Sequence, residues 1–222
     1  DLIVSRGLGD VYKRQDPKLF LVSAPSGAGK SSLIDAVLTS AKQSDLALEL
    51  SISYTTRSPR KGESNGNQYF FISEEDFINK KNANFFLEHA EVHGNWYGTS
   101  VDFVESKLSS GINLILEIDV QGFRQINKLD IKYESIFLLP PSIYSLEERI
   151  KSRGDEDLEA INLRLKNAKD ELAYANEYKH IIINNLFDDA ERELFQIIAQ
   201  EKQLNREKKE EVQQFLAQLL SY

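Results

Sequence analysis

A parallel β-sheet covered by helices on both faces, an α/β fold, is predicted by three features of the chain. Short apolar runs without alternation recur along it, stretches of helical spacing separate them, and the first run ends in a glycine-rich turn leading into a helix. Residues 18–24 (KLFLVSA) read as a strand that stops at Pro25 and Gly27, and helical spacing resumes over residues 30–40 at Leu33, Ile34, Val37 and Leu38. Residues 112–118 read as a second buried strand, with acids at its carboxyl end and Gly122 just beyond. A third strand, residues 135–139, stops at Pro140 and Pro141, and a fourth, residues 180–183, ends in Asn184 and Asn185.

Between the first helix and the acid-ended strand the text changes. Residues 50–56, 69–73 and 86–93 are short strand candidates rich in Tyr, Phe, Ser and Thr, which predicts a mostly β insert. Residues 145–172 read as two helices around Gly154 and the acids that follow it. From Asp188 the chain is helical, and Val212, Phe215, Leu216, Leu219 and Leu220 share one face. Packing on the core and packing on a second subunit both explain that stripe, so a homo-oligomer through the C-terminal helix stays open.

The 222 residues, 41% hydrophobic and 28% charged with 5 Pro, describe an ordinary globular chain with one generous domain. The lack of Cys excludes disulfide scaffolds, thiolate zinc sites and cysteine nucleophiles. A net charge of -8 argues against unspecific binding to long nucleic acid, although a few placed cations suffice to hold one nucleotide. No apolar run approaches the roughly 18 to 20 residues of a membrane helix, and the start lacks a secretory signal pattern, so a cytoplasmic location away from membranes is expected. Residues 5–15 (SRGLGDVYKRQ) have no hydrophobic period and resemble one reading frame of a transposon adapter used for sequencing libraries. Residues 1–15 are therefore read as a gene-assembly scar or leader outside the fold, and the absence of Met fits a replaced start or a fragment.

Residues 24–31, APSGAGKS, fit G-x-x-x-x-G-K-[ST] apart from Ala24 in the place of the first glycine. Consecutive backbone N–H groups have to turn inward around phosphate oxygens, and side chains at Gly27 and Gly29 would obstruct that approach. Ala24, Pro25, Ser26, Gly27, Ala28, Gly29, Lys30, Ser31 and Ser32 are thus the candidate triphosphate cradle. Lys30 brings a mobile charge to the outer phosphates, and the Ser31 hydroxyl suits the shell of a Mg²⁺ ion. A glycine turn that binds nothing is the plain alternative, and the strand-to-helix context weighs against it.

Residues 53–60, SYTTRSPR, set Arg57 and Arg60 around Pro59. Their guanidinium forks can clamp a phosphate, and Tyr69 and Tyr97 offer uncharged phenol donors; a solvated basic turn is the alternative. Glu88, flanked by apolar residues in FFLEHAE, needs donors or a cation. Guanine offers N1–H and N2–H together, whereas adenine presents an acceptor at N1; a salt bridge is the competing explanation. His89 and His93 lack an evident third metal ligand, and Trp96 reads as packing.

With APSGAGKSS, SYTTRSPRKGE followed by NGNQYFF, NWYGTS, LEIDVQG, RIKSRG and INLRLKNAKDEL, the chain from about Lys18 to about Gln200 resembles the bacterial guanylate kinases. The resemblance implies a P-loop NTPase fold and transfer of the terminal phosphoryl of ATP to GMP, giving ADP and GDP in purine metabolism. It implies Ser53, Glu88 and Thr99 as guanine contacts, and Arg57, Arg60, Tyr69 and Tyr97 as contacts of the GMP phosphate. Arg149, Arg153 and Arg164 resemble lid arginines that join Lys30 and Arg57 as catalytic cations; helix salt bridges with Glu147, Glu148 and Asp155 are their alternative. Glu117 stands where many relatives have Asp, so its acid role is kept with a longer reach, while Asp119 and Gln121 keep the family pattern. Acids at a parallel strand's carboxyl end face the crevice where ligands bind, so Glu117 and Asp119 join the substrate set. Ser31, with Glu117 acting through water, is expected to hold Mg²⁺.

The implied division is a P-loop core of residues 16–50, 101–141 and 168–222, a GMP-binding insert of residues 51–100 and a helical lid of residues 142–167. Two rivals are weighed. Guanylate-kinase-like scaffold modules bind peptides but lack a working phosphate loop, which is intact here. A sugar-phosphate kinase with the same loop is disfavoured by Glu88 and the tyrosine pair.

Overall fold

The computed structural model describes residues 16–92, 94–152, 158–200 and 206–221. In chain order the first elements are β1 (Leu19–Ser23), α1 (Lys30–Gln43), β2 (Leu48–Leu50), β3 (Ser53–Thr55), β4 (Tyr69–Phe71), α2 (Glu74–Asn82), β5 (Phe86–Val92) and β6 (Asn95–Ser100). They are followed by α3 (Val101–Ser109), β7 (Asn113–Glu117), α4 (Val120–Ile126), β8 (Glu134–Leu139) and α5 (Ile143–Lys151). The chain continues through α6 (Leu158–Leu172), β9 (His180–Ile183), α7 (Phe187–Ile198) and α8 (Arg206–Leu220).

One sheet is parallel throughout, in the order β2-β7-β1-β8-β9, as the uninterrupted apolar runs predict. Its central strands bury both faces. Leu19 and Leu21 of β1, Leu114 and Leu116 of β7, and Phe137 and Leu139 of β8 pack on one side. Phe20, Val22, Ile115, Ile136 and Leu138 point to the other, where they meet Leu33, Ile34 and Val37 of α1 and Leu194 and Ile198 of α7. A strand buried on both faces has no polar alternation to show, because each successive side chain meets a hydrophobic layer.

The stripe on the last helix is used within the chain. Val212, Leu216 and Leu219 of α8 are 3%, 1% and 5% exposed and join the same core as Leu19 and Phe137. Packing on the core therefore accounts for these three, and Phe215 packs against the same cluster, while Leu220 of the stripe stays 47% exposed.

A second, four-stranded sheet runs in the order β4-β3-β6-β5, with β3 and β4 parallel and the other pairs antiparallel. Here the sequence expectation is corrected. Residues 50–56 are not one strand: β2 belongs to the parallel sheet and β3 to the second. The Ser51 N–H still bonds Ile115 O at 2.8 Å before the chain crosses over. The strand β6 and the helices α2 and α3 are absent from the sequence expectation; of the two helices only α2 lies within residues 51–100, and it makes them less purely β than expected. Both helices have a serine cap: Ser73 Oγ accepts from the Asp76 N–H and Ser100 Oγ from the Phe103 N–H.

The second sheet rests on an aromatic cluster in which Phe77 stacks on Phe86 and on Trp96, at ring distances of 4.5 and 5.7 Å. Gly98 lies beneath it. A Cβ there would stand 2.9 Å from the Phe86 ring and 3.1 Å from Phe77 Cζ. Gly98→Ala should therefore destabilise the protein by about 1–3 kcal/mol through overpacking, read as a lower Tm. An unchanged Tm would mean that the rings shift without cost.

Candidate functional site

The phosphate loop lies where β1 hands over to α1. Gly27 and Gly29 have φ of +89° and +90°, a left-handed backbone that L side chains rarely adopt. At Gly29 space is closed as well, because a Cβ would lie 2.7 Å from Asn184 Nδ2. That amide donates to Ala28 O at 2.8 Å and braces the loop from the end of β9. No side chain caps α1, and its first turn holds no acid. Its first N–H groups and positive end are thus left for an anion.

Opposite the loop stands the carboxyl end of β7. Ser31 Oγ donates to Glu117 Oε1 at 2.8 Å, and Lys30 Nζ lies 3.8 Å from the same oxygen and donates to Ile118 O at 3.3 Å. Asp119 has a second task that the sequence reading missed. It caps α4, accepting the Gly122 N–H at 2.8 Å and the Gln121 amide at 3.1 Å.

A cavity of about 630 Å³ runs from Lys30 and Ser31, past Glu117 and Asp119, to Ser53, Arg57, Arg60, Tyr69, Glu88 and Tyr97. Residues of both sheets thus converge on one space. Ser32 and the glycines face a second cavity of about 320 Å³, shared with Arg149, Asn184 and Phe187.

Glu88 is placed by strand periodicity. Phe86, Glu88 and Ala90 point to the buried face of β5, and the register sets Glu88 opposite Thr99. The Thr99 hydroxyl donates to Glu88 Oε1 at 2.7 Å, and Ser53 Oγ is 3.4 Å from Thr99 Oγ1. The other carboxylate oxygen fits against Gly122, where an added Cβ would collide with Oε2. Burial pushes the Glu88 carboxyl up to about 7, with the Thr99 hydroxyl opposing and the Asp119 charge adding to it. Folded Glu88 then holds its proton more tightly than the unfolded chain does. Its contribution to stability is full below its ordinary value near 4.5 and is lost as pH rises to about 7. Wild type should lose on the order of 2–3 kcal/mol across that window relative to Glu88→Gln. Parallel pH-stability curves for the two proteins would contradict this.

Arg57, expected to clamp a phosphate, already has partners within the chain. Arg57 Nη2 donates to Glu63 Oε1 at 2.9 Å, and the Arg57 N–H donates to Thr55 Oγ1 at 3.1 Å. Arg57 Cζ lies over the Tyr69 ring, 5.4 Å from its centre, and Tyr69 meets Tyr97 edge to face. Burial, with the Glu117 charge adding to it, pushes the Tyr69 phenol up to about 12, which keeps it a neutral donor. Arg60 is exposed at the cavity wall.

Of the expected lid arginines, Arg149 on α5 donates to Gly27 O at 3.3 Å and so already touches the phosphate loop. Arg164 on α6 lines a third cavity with Ser26, Asp119, Gln121 and Glu171. Arg153 lies outside the described residues, as does His93. Among the described residues no group of three His, Cys, Asp or Glu is arranged to hold a metal. Glu63, Gly122, Glu171 and Asn184 were not read as site residues. Glu171 is half-buried beside the loop, and that burial raises its carboxyl to about 7 while the Lys30 charge and the Ser26 amide draw it back.

The family model described as guanylate kinase matches residues 16–201. Over 185 residues, 83% of this chain and 87% of the relative, it is 48% identical to the guanylate kinase of Hahella chejuensis. It is 42% identical to that of Pasteurella multocida over 204 residues, 91% and 97% of the two chains. The crystal structure of guanylate kinase from Anaplasma phagocytophilum superposes with a TM-score of 0.66 at 27% identity, covering 85% of this chain and 88% of that one.

Proposed function

The chain belongs to the guanylate kinase family, and from that premise we propose how its residues transfer the terminal phosphoryl of ATP to GMP, giving ADP and GDP. The observation that carries the reading is a buried carboxylate, Glu88, opening into the same 630 Å³ cavity as Lys30 and the arginine clamp. Glu88 accepts guanine N1–H and N2–H, and Ser53 and Thr99 hold its orientation. Those donors favour the ionised carboxylate and so offset the burial that raises its carboxyl when empty. Arg57 and Arg60 take the GMP phosphate, with Tyr69 and Tyr97 donating.

The loop from Ala24 to Ser32 holds the ATP phosphates, and the 320 Å³ cavity beside Gly27, Gly29 and Phe187 takes its nucleoside end. Ser31 and Glu117 offer two hard oxygens 2.8 Å apart, a donor set that suits Mg²⁺. When bound there, the ion supplies charge neutralisation at the phosphates. The chain itself aligns two anions and offsets their repulsion, with Lys30, Arg57, Arg149, Arg153 and Arg164 as its cations. No side-chain nucleophile is needed.

Water competes with GMP as acceptor, which gives a reason for an insert (residues 51–100) and a lid (residues 142–167) to close on the core only around both substrates. No helix among the described residues is long and apolar enough to cross a membrane, in keeping with the cytoplasmic location proposed. A coupled assay with GMP, dGMP, AMP, UMP and dTMP tests the acceptor site. GMP should exceed AMP, UMP and dTMP by at least about 10², because a site built to pair purine donors leaves buried groups unpaired with the others. Equal turnover of AMP would refute the role of Glu88.

A further inference from the structure

One carboxylate in the cavity wall faces the cations that are to receive an anion. Glu63 Oε1 lies 2.9 Å from Arg57 Nη2, and Glu63 Oε2 accepts the Arg60 backbone N–H at 2.7 Å. The Glu63 N–H returns to Arg60 O at 3.0 Å, closing a turn whose third residue, Gly62, has φ of +90°. One side chain thus ties down the guanidinium of one arginine and the backbone of the other. The Arg57 and Glu63 side chains are only 15% and 17% exposed, so solvent screens the pair weakly.

Arg57 is fixed on its remaining sides too. Nη1 donates to Ser58 O at 2.8 Å, and Cζ sits over the Tyr69 and Phe71 rings at 5.4 and 5.7 Å. A guanidinium has five N–H donors, so the contacts to Glu63 and Ser58 leave others for a phosphate.

We propose that Glu63 is a positioning residue for GMP, holding Arg57 and the Arg60 turn in the geometry that receives the phosphate before the nucleotide arrives. The role rests on the assignment of those two arginines to the GMP phosphate. A competing role predicts the opposite sign. As a mere counter-ion, Glu63 repels the phosphate, and its removal adds positive charge and tightens binding. As an organiser, its removal releases a long side chain that the phosphate must then order.

Calorimetric titration of wild type, Glu63→Ala and Glu63→Gln with GMP and with guanosine, alongside KM for both substrates, separates these roles. Glu63→Ala should bind GMP about five- to ten-fold more weakly, with guanosine affinity and KM for ATP unchanged. Glu63→Gln keeps an acceptor for Arg57 but loses one for Arg60, and should fall between. Should Glu63→Ala fail to fold, Glu63→Gln decides by the same signs. GMP binding that is unchanged or tighter, or guanosine weakened as much as GMP, overturns the role. A wild type that binds GMP no better than guanosine overturns the phosphate clamp itself.

Discussion

Lys30→Ala should lower kcat by about 10² or more while the chain still folds, as expected when a charge aimed at the developing transition state is lost. In the structure its ammonium is held against Ile118 O and Glu117, at 3.3 and 3.8 Å, within the cavity that reaches Glu88. These partners set the side chain across the crevice rather than in open solvent. Because the contact with the transferring phosphoryl grows toward the transition state, kcat falls more than KM for GMP rises. Single-turnover rates with Mg-ATP and GMP measure this. Normal turnover in the variant would contradict the assignment of the loop.

Glu88→Gln should raise KM for GMP by about 10- to 100-fold, with KM for ATP unchanged. An amide oxygen can accept one guanine proton, but the amide then turns a donor toward the other. The site has no room for a compensating shift. Glu88 is 5% exposed, its Oε1 is fixed by the Thr99 hydroxyl at 2.7 Å, and its Oε2 is pressed against Gly122. Unchanged GMP affinity in a calorimetric titration would remove Glu88 from the acceptor site.

What could be read from the sequence follows the range of the forces involved. The glycine turn between β1 and α1 was legible because a cradle of consecutive backbone N–H groups writes its whole demand in eight adjacent letters, APSGAGKS. The β1, β7, β8 and β9 strands were legible because burial on both faces leaves an unbroken apolar run. The strand β6 was not. Its sequence NWYGTS shows no alternation, because Gly98 is set by the rings packed on it rather than by strand propensity. Residues 50–56 were misread as one strand because two short strands of different sheets abut with only Ser51 and Ile52 between them. The helix α2 buries only Phe77, too little for a periodic signal, although Ser73 followed three residues later by Asp76 was a local cue.

Tertiary partners were the least legible. Asn184 reaches Ala28 across 156 residues, and no spacing rule connects them. Glu63 lies inside the motif SYTTRSPRKGE, but that its carboxylate turns back onto Arg57 and the Arg60 N–H depends on the turn at Gly62, which the residue types alone do not show. Arg57 and Glu88 could be nominated as phosphate and purine contacts from chemistry alone, yet that they share one cavity with Lys30 depends on how two sheets meet.

The most direct measurement adds GMP to the chain with Mg-ATP and counts ADP and GDP together. Phosphoryl transfer across one shared cleft predicts ADP appearing only when GMP is present, one ADP for each GDP formed. ADP released without GMP, or GMP recovered unchanged while ATP is consumed, would contradict it.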